Sequence, residues 1–256
     1  MSIWLCGDVH GCMDSVIEAY THAYECGRRP KAVIFLGDLE CSQALEHELS
    51  EIRCYVDDDV WFIPGNHDTD SNQSWNSLAA SRWSDNNLHG KVKKVGGWQV
   101  AGLGGVFRSS IWAPPEKPKF DSYKEFRKDL ISRRPTREWG LSETTAERRH
   151  LSTIFPDSVQ RLGKQRAQIL VTHEAPSCHP FGWSAIDGLA KRMGVSYVFH
   201  GHHHETKIYP YCDFQAVGVG YKAILELDGD GVISVIRPGD YDLEGGLGEQ
   251  GEDDYE

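Results

Sequence analysis

Hydrophobic residues along this chain gather in short runs that break off abruptly into polar turns. Residues 3–6, 32–36, 60–63, 169–171 and 197–199 are β-branched, aliphatic or aromatic almost throughout. Each run stops at a segment carrying Asp, Asn or His: Gly7-Asp8-Val9-His10-Gly11, Gly37-Asp38, Gly65-Asn66-His67-Asp68, Thr172-His173-Glu174 and Gly201-His202-His203-His204. Apolar runs of this length bounded by turn signals predict buried strands, and side chains delivered just past a strand end are well placed to act. Five such strands side by side would bring their ligand-bearing turns to one edge of one sheet.

The intervening patterns supply the rest of an α/β fold. Residues 14–26 carry Val16, Ile17, Ala19, Tyr20 and Ala23 on one helical face, and Gly27 and Pro30 end the helix. Ser42 is a candidate cap for a helix over 43–53. A β-α-β-α-β start predicts a mostly parallel sheet with right-handed crossovers. Residues 71–90 read as an irregular loop with some helix near 75–81, and 91–106 alternate like a strand that ends in Gly102-Leu103-Gly104-Gly105. Residues 109–135, with Pro114, Pro115 and Pro118, read as a long excursion from the sheet. Helices are expected over 144–155, 157–164 and 184–193, and antiparallel hairpins over 206–237 around Asp228-Gly229-Asp230-Gly231. Residues 1–238 are expected to form one domain with an excursion at 109–166, and 239–256 an acidic, disordered tail.

Composition narrows the class without naming an activity. No run of about 18 apolar residues is present, which excludes a membrane-spanning helix. Seven scattered cysteines without CxxC spacing do not compose a disulfide framework, and the first apolar run begins at Ile3 with no secretory leader ahead of it; both point to the cytoplasm. The net charge of −11 is unevenly spread: residues 108–166 hold fourteen Lys or Arg against eight Asp or Glu. That segment could steer a phosphate-rich ligand, or simply be a solvated helical surface.

The polar turns hold the chemistry. Asp38 stands alone after its strand and suits a carboxylate bridging two ions; Asp8 and His10 are spaced to reach one ion, and His202 and His204 to reach different ones. Asn66 and His173 complete the set. Mixed nitrogen and oxygen donors favour manganese first, with iron, zinc or nickel as alternatives, over calcium or magnesium.

In their order and spacing these segments resemble the calcineurin-like metallophosphoesterase superfamily, which shares D-x-H, G-D, G-N-H-[DE], a lone His and G-H-x-H. The resemblance spans residues 7–204 and implies a four-layer αββα sandwich of two mixed sheets. It implies that Asp8, His10, Asp38 and His204 hold one divalent ion and that Asp38, Asn66, His173 and His202 hold the other. His67 would be catalytic rather than a ligand, stabilising the transition state or protonating the leaving oxygen, with Asp68 orienting it. The implied nucleophile is a hydroxide between the two ions. Protein phosphatases of the superfamily continue G-D into G-D-x-x-D-R-G, whereas this chain reads Gly37-Asp38-Leu39-Glu40-Cys41-Ser42-Gln43, so the second Asp and the phosphate-clamping Arg are missing.

A narrower resemblance, to RNA lariat debranching enzymes, rests on residues 96–108, on the excursion and on Thr172-His173-Glu174-Ala175-Pro176. Those enzymes carry Cys where this chain has Asp8, which argues against a lariat substrate. Arg108 is the candidate phosphate contact, and Trp112 and Tyr123 are candidates to stack on a base. His150 and His179 read as surface residues. The expected activity is binuclear hydrolysis of a phosphodiester or nucleotide-like substrate, nucleic acid included. A phosphomonoesterase, a protein phosphatase and a non-catalytic metal-bound scaffold are the alternatives.

Overall fold

The computed structural model describes residues 2–56, 59–133, 145–210 and 213–243. β1 (Ile3–Cys6) leads through α1 (Asp14–Glu25) to β2 (Ala32–Phe35), and the short helices α2 (Leu45–Glu48) and α3 (Arg53–Val56) lead to β3 (Val60–Phe62). After α4 (Asn72–Ala79) comes the hairpin β4 (Val92–Val95) and β5 (Trp98–Leu103), then α5 (Tyr123–Ser132), α6 (Thr145–Arg149) and α7 (Pro156–Leu162). β6 (Ile169–Thr172), α8 (Ser184–Met193) and β7 (Tyr197–His200) repeat the β-α-β theme. The described chain closes with β8 (Lys207–Tyr209), β9 (Gln215–Gly218), β10 (Ile224–Leu227), β11 (Ile233–Arg237) and α9 (Asp240–Leu243).

The strands form two mixed sheets, ordered β11-β10-β1-β2-β3 and β4-β5-β6-β7-β9-β8. Burial on both faces explains why the strand runs are continuously apolar rather than alternating. In β1, Trp4 and Cys6 face the layer of α1, α2 and α4, whereas Ile3 and Leu5 face the second sheet. In the second sheet Ile169 and Val171 meet Ile34 and Leu5 between the sheets, while Leu170 and Val198 turn outward to Leu162, Leu189 and Met193 of α7 and α8. Helix, sheet, sheet and helix are therefore stacked in four layers, the αββα sandwich that the resemblance implies.

Several local expectations need correction. The ligand-bearing turns are not on one sheet: three follow β1, β2 and β3, and two follow β6 and β7 of the other sheet. The helix expected over 43–53 is broken into α2 and α3. Glu48 turns its carboxylate back to accept from the backbone amides of Ser42 and Gln43 and from the Ser42 hydroxyl, which removes Ser42 as a cap. Leu45, Leu49, Ile52 and Val56 nevertheless stay buried as one apolar stripe. The loop at 71–90 contains α4, capped by Ser71 Oγ accepting from the amide of Ser74. The excursion contains α5, capped likewise by Ser122, while residues 134–144 lie outside those described. The region 206–237 is not wholly antiparallel, because β9 pairs parallel to β7. Of the expected tail, residues 239–243 are ordered around α9, and 244–256 lie outside the described residues.

His89 ties the β5 end to α7. Its Nδ1 accepts from the Gly104 amide at 3.1 Å and its Nε2 lies 3.2 Å from Ser158 Oγ. Burial is the main cause that lowers its pKa to about 4. A depressed folded pKa means that the unfolded chain binds the proton more readily between about pH 6.5 and 4, so stability falls as pH falls through that window. Its contribution by pH 4 is a loss on the order of 3 kcal/mol. Urea midpoints measured from pH 7 to 4.5 should show this slope, and His89→Gln should flatten it; an unchanged slope in the variant would refute the assignment.

Candidate metal centre

Each ligand-bearing turn starts where a strand runs out of apolar sequence, and backbone strain marks the place. His10, Asp38, Glu40, His202, His204 and Lys222 are the non-glycine residues with positive φ among those described, at +43° to +70°. Five of them belong to these turns, and Lys222 donates its amide to the Asp8 carbonyl. Left-handed backbone costs on the order of 1 kcal/mol or more per such residue, and concentrated strain of this kind is characteristic of functional sites. Two glycines let the carboxylates approach the neighbouring turns. A Cβ on Gly65 would lie 2.1 Å from Asp38 Oδ1, and one on Gly201 would lie 2.5 Å from Asp8 Oδ1.

Asp38, His173 and His202 bring ligand atoms within 4.8 Å of one another. His173 is fully buried and its Nδ1 donates to the Leu36 carbonyl at 2.8 Å, which leaves Nε2 as the ligating nitrogen. That Nε2 faces Asn66 Oδ1 at 3.0 Å and Asp38 Oδ2 at 3.2 Å. On the other side, Asp8 accepts the His202 amide through Oδ2 at 2.7 Å, and His204 Nε2 stands 3.5 Å from the same oxygen. His10 Nε2 lies 3.2 Å from His204 Nε2. The other ring nitrogen of His10 is held by the Glu40 carboxylate, a pairing that turns Nε2 outward as a ligand. All seven sequence-predicted ligands thus converge on one place, across the gap between the two sheets.

The electrostatics fit a cation. Asp8 Oδ1 is buried and has no hydrogen-bond donor. Burial, with the nearby Asp38 charge adding to it, lifts the Asp8 carboxyl to about 7. Burial also disfavours charge on Asp38 and His173, yet their mutual attraction wins, holding the Asp38 carboxyl well below its usual range and raising His173 to about 10. Without an ion the pocket therefore retains a proton on His173. Burial lowers His202 to about 3 and His204 to about 4, so both are neutral donors at pH 7. A carboxylate with one orphaned oxygen and the other beside a neutral imidazole is part of a donor set that a divalent ion with mixed nitrogen and oxygen preference would satisfy.

His67 is brought to the rim. Its amide donates to Asp38 Oδ1 at 2.9 Å, and its ring centroid is 5.4 Å from that of His10. Burial works against its charge, but the Asp38 carboxylate and the Asp70 hydrogen bond outweigh this and raise its pKa. Asp68 does not orient the ring. It is wholly buried and accepts the amides of Gly65 and Glu40, both at 2.8 Å, stitching two ligand turns together. Asp70, at 2.7 Å from His67 Nδ1, holds the ring instead. The i,i+3 spacing across a 3₁₀ turn of residues His67–Thr69 was the sequence signal for this contact.

Two further contributors were not singled out from sequence. Glu40 secures His10, and Arg148 of α6 donates to the carbonyls of Thr69 and Asp70 and to Asn72 Oδ1 at 2.8–3.0 Å, clamping the loop behind His67. The excursion thereby supports the site. Arg108 stands close to Glu174 and His150: after burial, it is the next contributor to His150's fall to about 4. Trp112 packs edge-on to Phe107, and Tyr123 sits among Phe126 and Phe155 with its hydroxyl donating to the Glu147 carbonyl. Both rings are half-buried against these neighbours. His150 and His179, expected at the surface, are buried.

Comparison with known proteins agrees with this geometry. A family model described as calcineurin-like phosphoesterase matches residues 1–206. An uncharacterised protein of Haemophilus influenzae is 36% identical over 241 residues, covering 91% of this chain and 97% of that protein. The fold is shared with a solved structure from Thermus thermophilus, at 14% identity and a TM-score of 0.57 over 92% of this chain and 99% of that one. It is also shared with the phosphopantetheinyl hydrolase of Mycobacterium tuberculosis, at 17% identity and a TM-score of 0.50 over 86% and 90% of the two chains. No helix among the described residues is long and apolar enough to cross a membrane. With a match over most of its length and its Asp-, Asn- and His-bearing turns gathered at one site, this chain belongs to the calcineurin-like phosphoesterase family and is a phosphoric ester hydrolase.

Proposed function

We propose that the protein hydrolyses a phosphodiester or nucleotide-like substrate with two divalent ions, manganese foremost. The observation that carries this reading is the buried Asp8 carboxylate, with Oδ1 left without a donor and Oδ2 3.5 Å from Nε2 of the neutral His204. Asp8, His10, Asp38 and His204 would hold one ion, and Asp38, Asn66, His173 and His202 the other. When bound, such a pair supplies an acidified water as nucleophile and neutralises phosphate charge. The chain's own residues do the rest. Glu40 and the Leu36 carbonyl fix the tautomers of His10 and His173. His67, held through Nδ1 by Asp70 and with its protonated form favoured by the nearby carboxylates, presents Nε2–H to the leaving oxygen. Arg108 is the candidate further contact to phosphate.

A diester is favoured over a phosphoprotein on charge. A monoester dianion calls for an additional cation, and positions 39–43 offer none. With manganese added, kcat/KM for bis-p-nitrophenyl phosphate is expected to exceed that for p-nitrophenyl phosphate by at least about tenfold, which is about 1.4 kcal/mol in transition-state binding. The opposite ranking would make the protein a phosphomonoesterase. Inertness toward both, or fewer than about two ions per chain by elemental analysis, would favour a metal-bound scaffold.

A further inference from the structure

The metal centre has an aromatic flank that the motifs do not announce. Tyr221 packs against two ligand histidines, its ring centroid 5.5 Å from that of His10 and 5.3 Å from that of His204. Tyr241 stacks on Tyr221 at 5.1 Å with 21° between the planes, and lies 6.0 Å from His204 at 30°. The Lys222 ammonium sits 4.6 Å from the Tyr221 ring centre; Tyr221 is half-buried and Tyr241 is 42% exposed.

The outer ring is held in place by hydrogen bonds around it rather than by burial. The Asp240 amide donates to the Tyr221 carbonyl at 3.0 Å, and Asp242 accepts the amides of Thr206 and Gly239 at 3.1 and 2.7 Å. Lys222 and Arg237 both pair with Asp240. These contacts fix a segment that presents a large aromatic ring to solvent beside the metal ligands.

We propose that Tyr241, backed by Tyr221, is the stacking face for the base of a nucleotide-bearing phosphoester whose phosphate lies at the metal centre. Every nucleobase has a π-face, and stacking on an exposed aromatic ring discriminates base-bearing ligands from the bare sugar phosphate without reading sequence. This inference rests on the phosphoester reading and names the substrate class of that same site. It also moves the stacking role from Trp112 and Tyr123, which are half-buried against neighbouring aromatic rings, to the C-terminal part of the described chain.

The test is calorimetric titration of adenosine 5′-monophosphate and of ribose 5-phosphate into the manganese-supplemented full-length protein. The nucleotide is expected to bind about tenfold more tightly. Tyr241→Ala should bring the two affinities together by weakening the nucleotide alone, and Tyr241→Phe should keep the difference. Equal affinities in the wild type, or equal losses for both ligands in Tyr241→Ala, would overturn the stacking face. Hydrolysis of bis-p-nitrophenyl phosphate, followed in parallel, separates the two ideas. Turnover without nucleotide preference removes the stacking face and leaves the phosphoesterase reading; nucleotide preference without turnover does the reverse.

Discussion

Substituting His67 by Ala should leave the metal content near two ions per chain and lower kcat by about two to four orders of magnitude, the usual contribution of a positioned acid. The separation of effects follows from geometry. The part of His67 that meets a proposed ligand is its backbone amide, on Asp38 Oδ1, and alanine keeps that amide. The imidazole is partly exposed at the rim and its Nδ1 is held by Asp70. Asp70→Asn should therefore lower kcat by about tenfold and move the alkaline limb of the pH profile, where His67 loses its proton, to lower pH, because a carboxylate that favours the charged ring has been removed. Asp68→Asn should act differently. Its carboxylate receives two backbone amides inside the protein, so its loss should lower the melting temperature and loosen metal binding. If Asp68→Asn depressed kcat with metal content and stability intact, the assignment of orientation to Asp70 would be wrong. Loss of both ions in His67→Ala would make His67 a ligand.

The parts of this molecule that were legible in sequence share one property: their identity is dictated by chemistry that allows few substitutes. Asp8, His10, Asp38, Asn66, His173, His202 and His204 could be expected to share one site because donor type and strand-end position constrain them independently of packing. α8 could be read residue for residue because Ile186, Leu189, Ala190 and Met193 keep a helical period and Gly194 ends it in the left-handed conformation. The break between α2 and α3 was not legible, since the stripe of Leu45, Leu49, Ile52 and Val56 retains its period through it. Between the two helices the backbone closes into tighter three-residue turns, Ser50 donating to the His47 carbonyl and Ile52 to that of Leu49. The division of the ligand turns between two sheets was likewise hidden, because a strand buried on both faces reads the same in either sheet.

The supporting contacts were the least visible. Glu40 on His10 and Arg148 on the Asp70 loop are long-range pairings of ordinary charged residues, 30 and 78 positions apart. Tyr221 and Tyr241 carry no motif and lie in a region whose sequence suggested only hairpins and a tail. The charge of residues 108–166 leaves two readings open from sequence, steering of a phosphate-rich ligand or a solvated helical surface. At least one of the segment's cations is instead committed to bracing the loop behind His67.

Gly65→Ala is expected to empty the metal centre about as completely as Asp38→Ala, with activity reduced by at least about a thousandfold in both. Gly65 has ordinary backbone dihedrals, so the obstacle is space alone: an added Cβ would lie 2.1 Å from Asp38 Oδ1 and 2.4 Å from the Asp38 amide nitrogen. Neither can yield cheaply. The carboxylate is fixed by the His67 amide and His173, and the backbone follows directly from β2 inside the sheet. Overpacking of this kind costs about 1–3 kcal/mol when neighbours can shift, and here the group that must shift is the proposed bridge between the ions. Gly27→Ala supplies the contrast. Its φ of +66° makes alanine strained, yet nothing lies within 4 Å of an added Cβ. That variant should lose about 1 kcal/mol of stability and keep both ions and full turnover. Elemental analysis and urea titration of the two alanine variants separate the cases, and a Gly65→Ala protein that retained two ions per chain would show that Asp38 can move without cost to the centre.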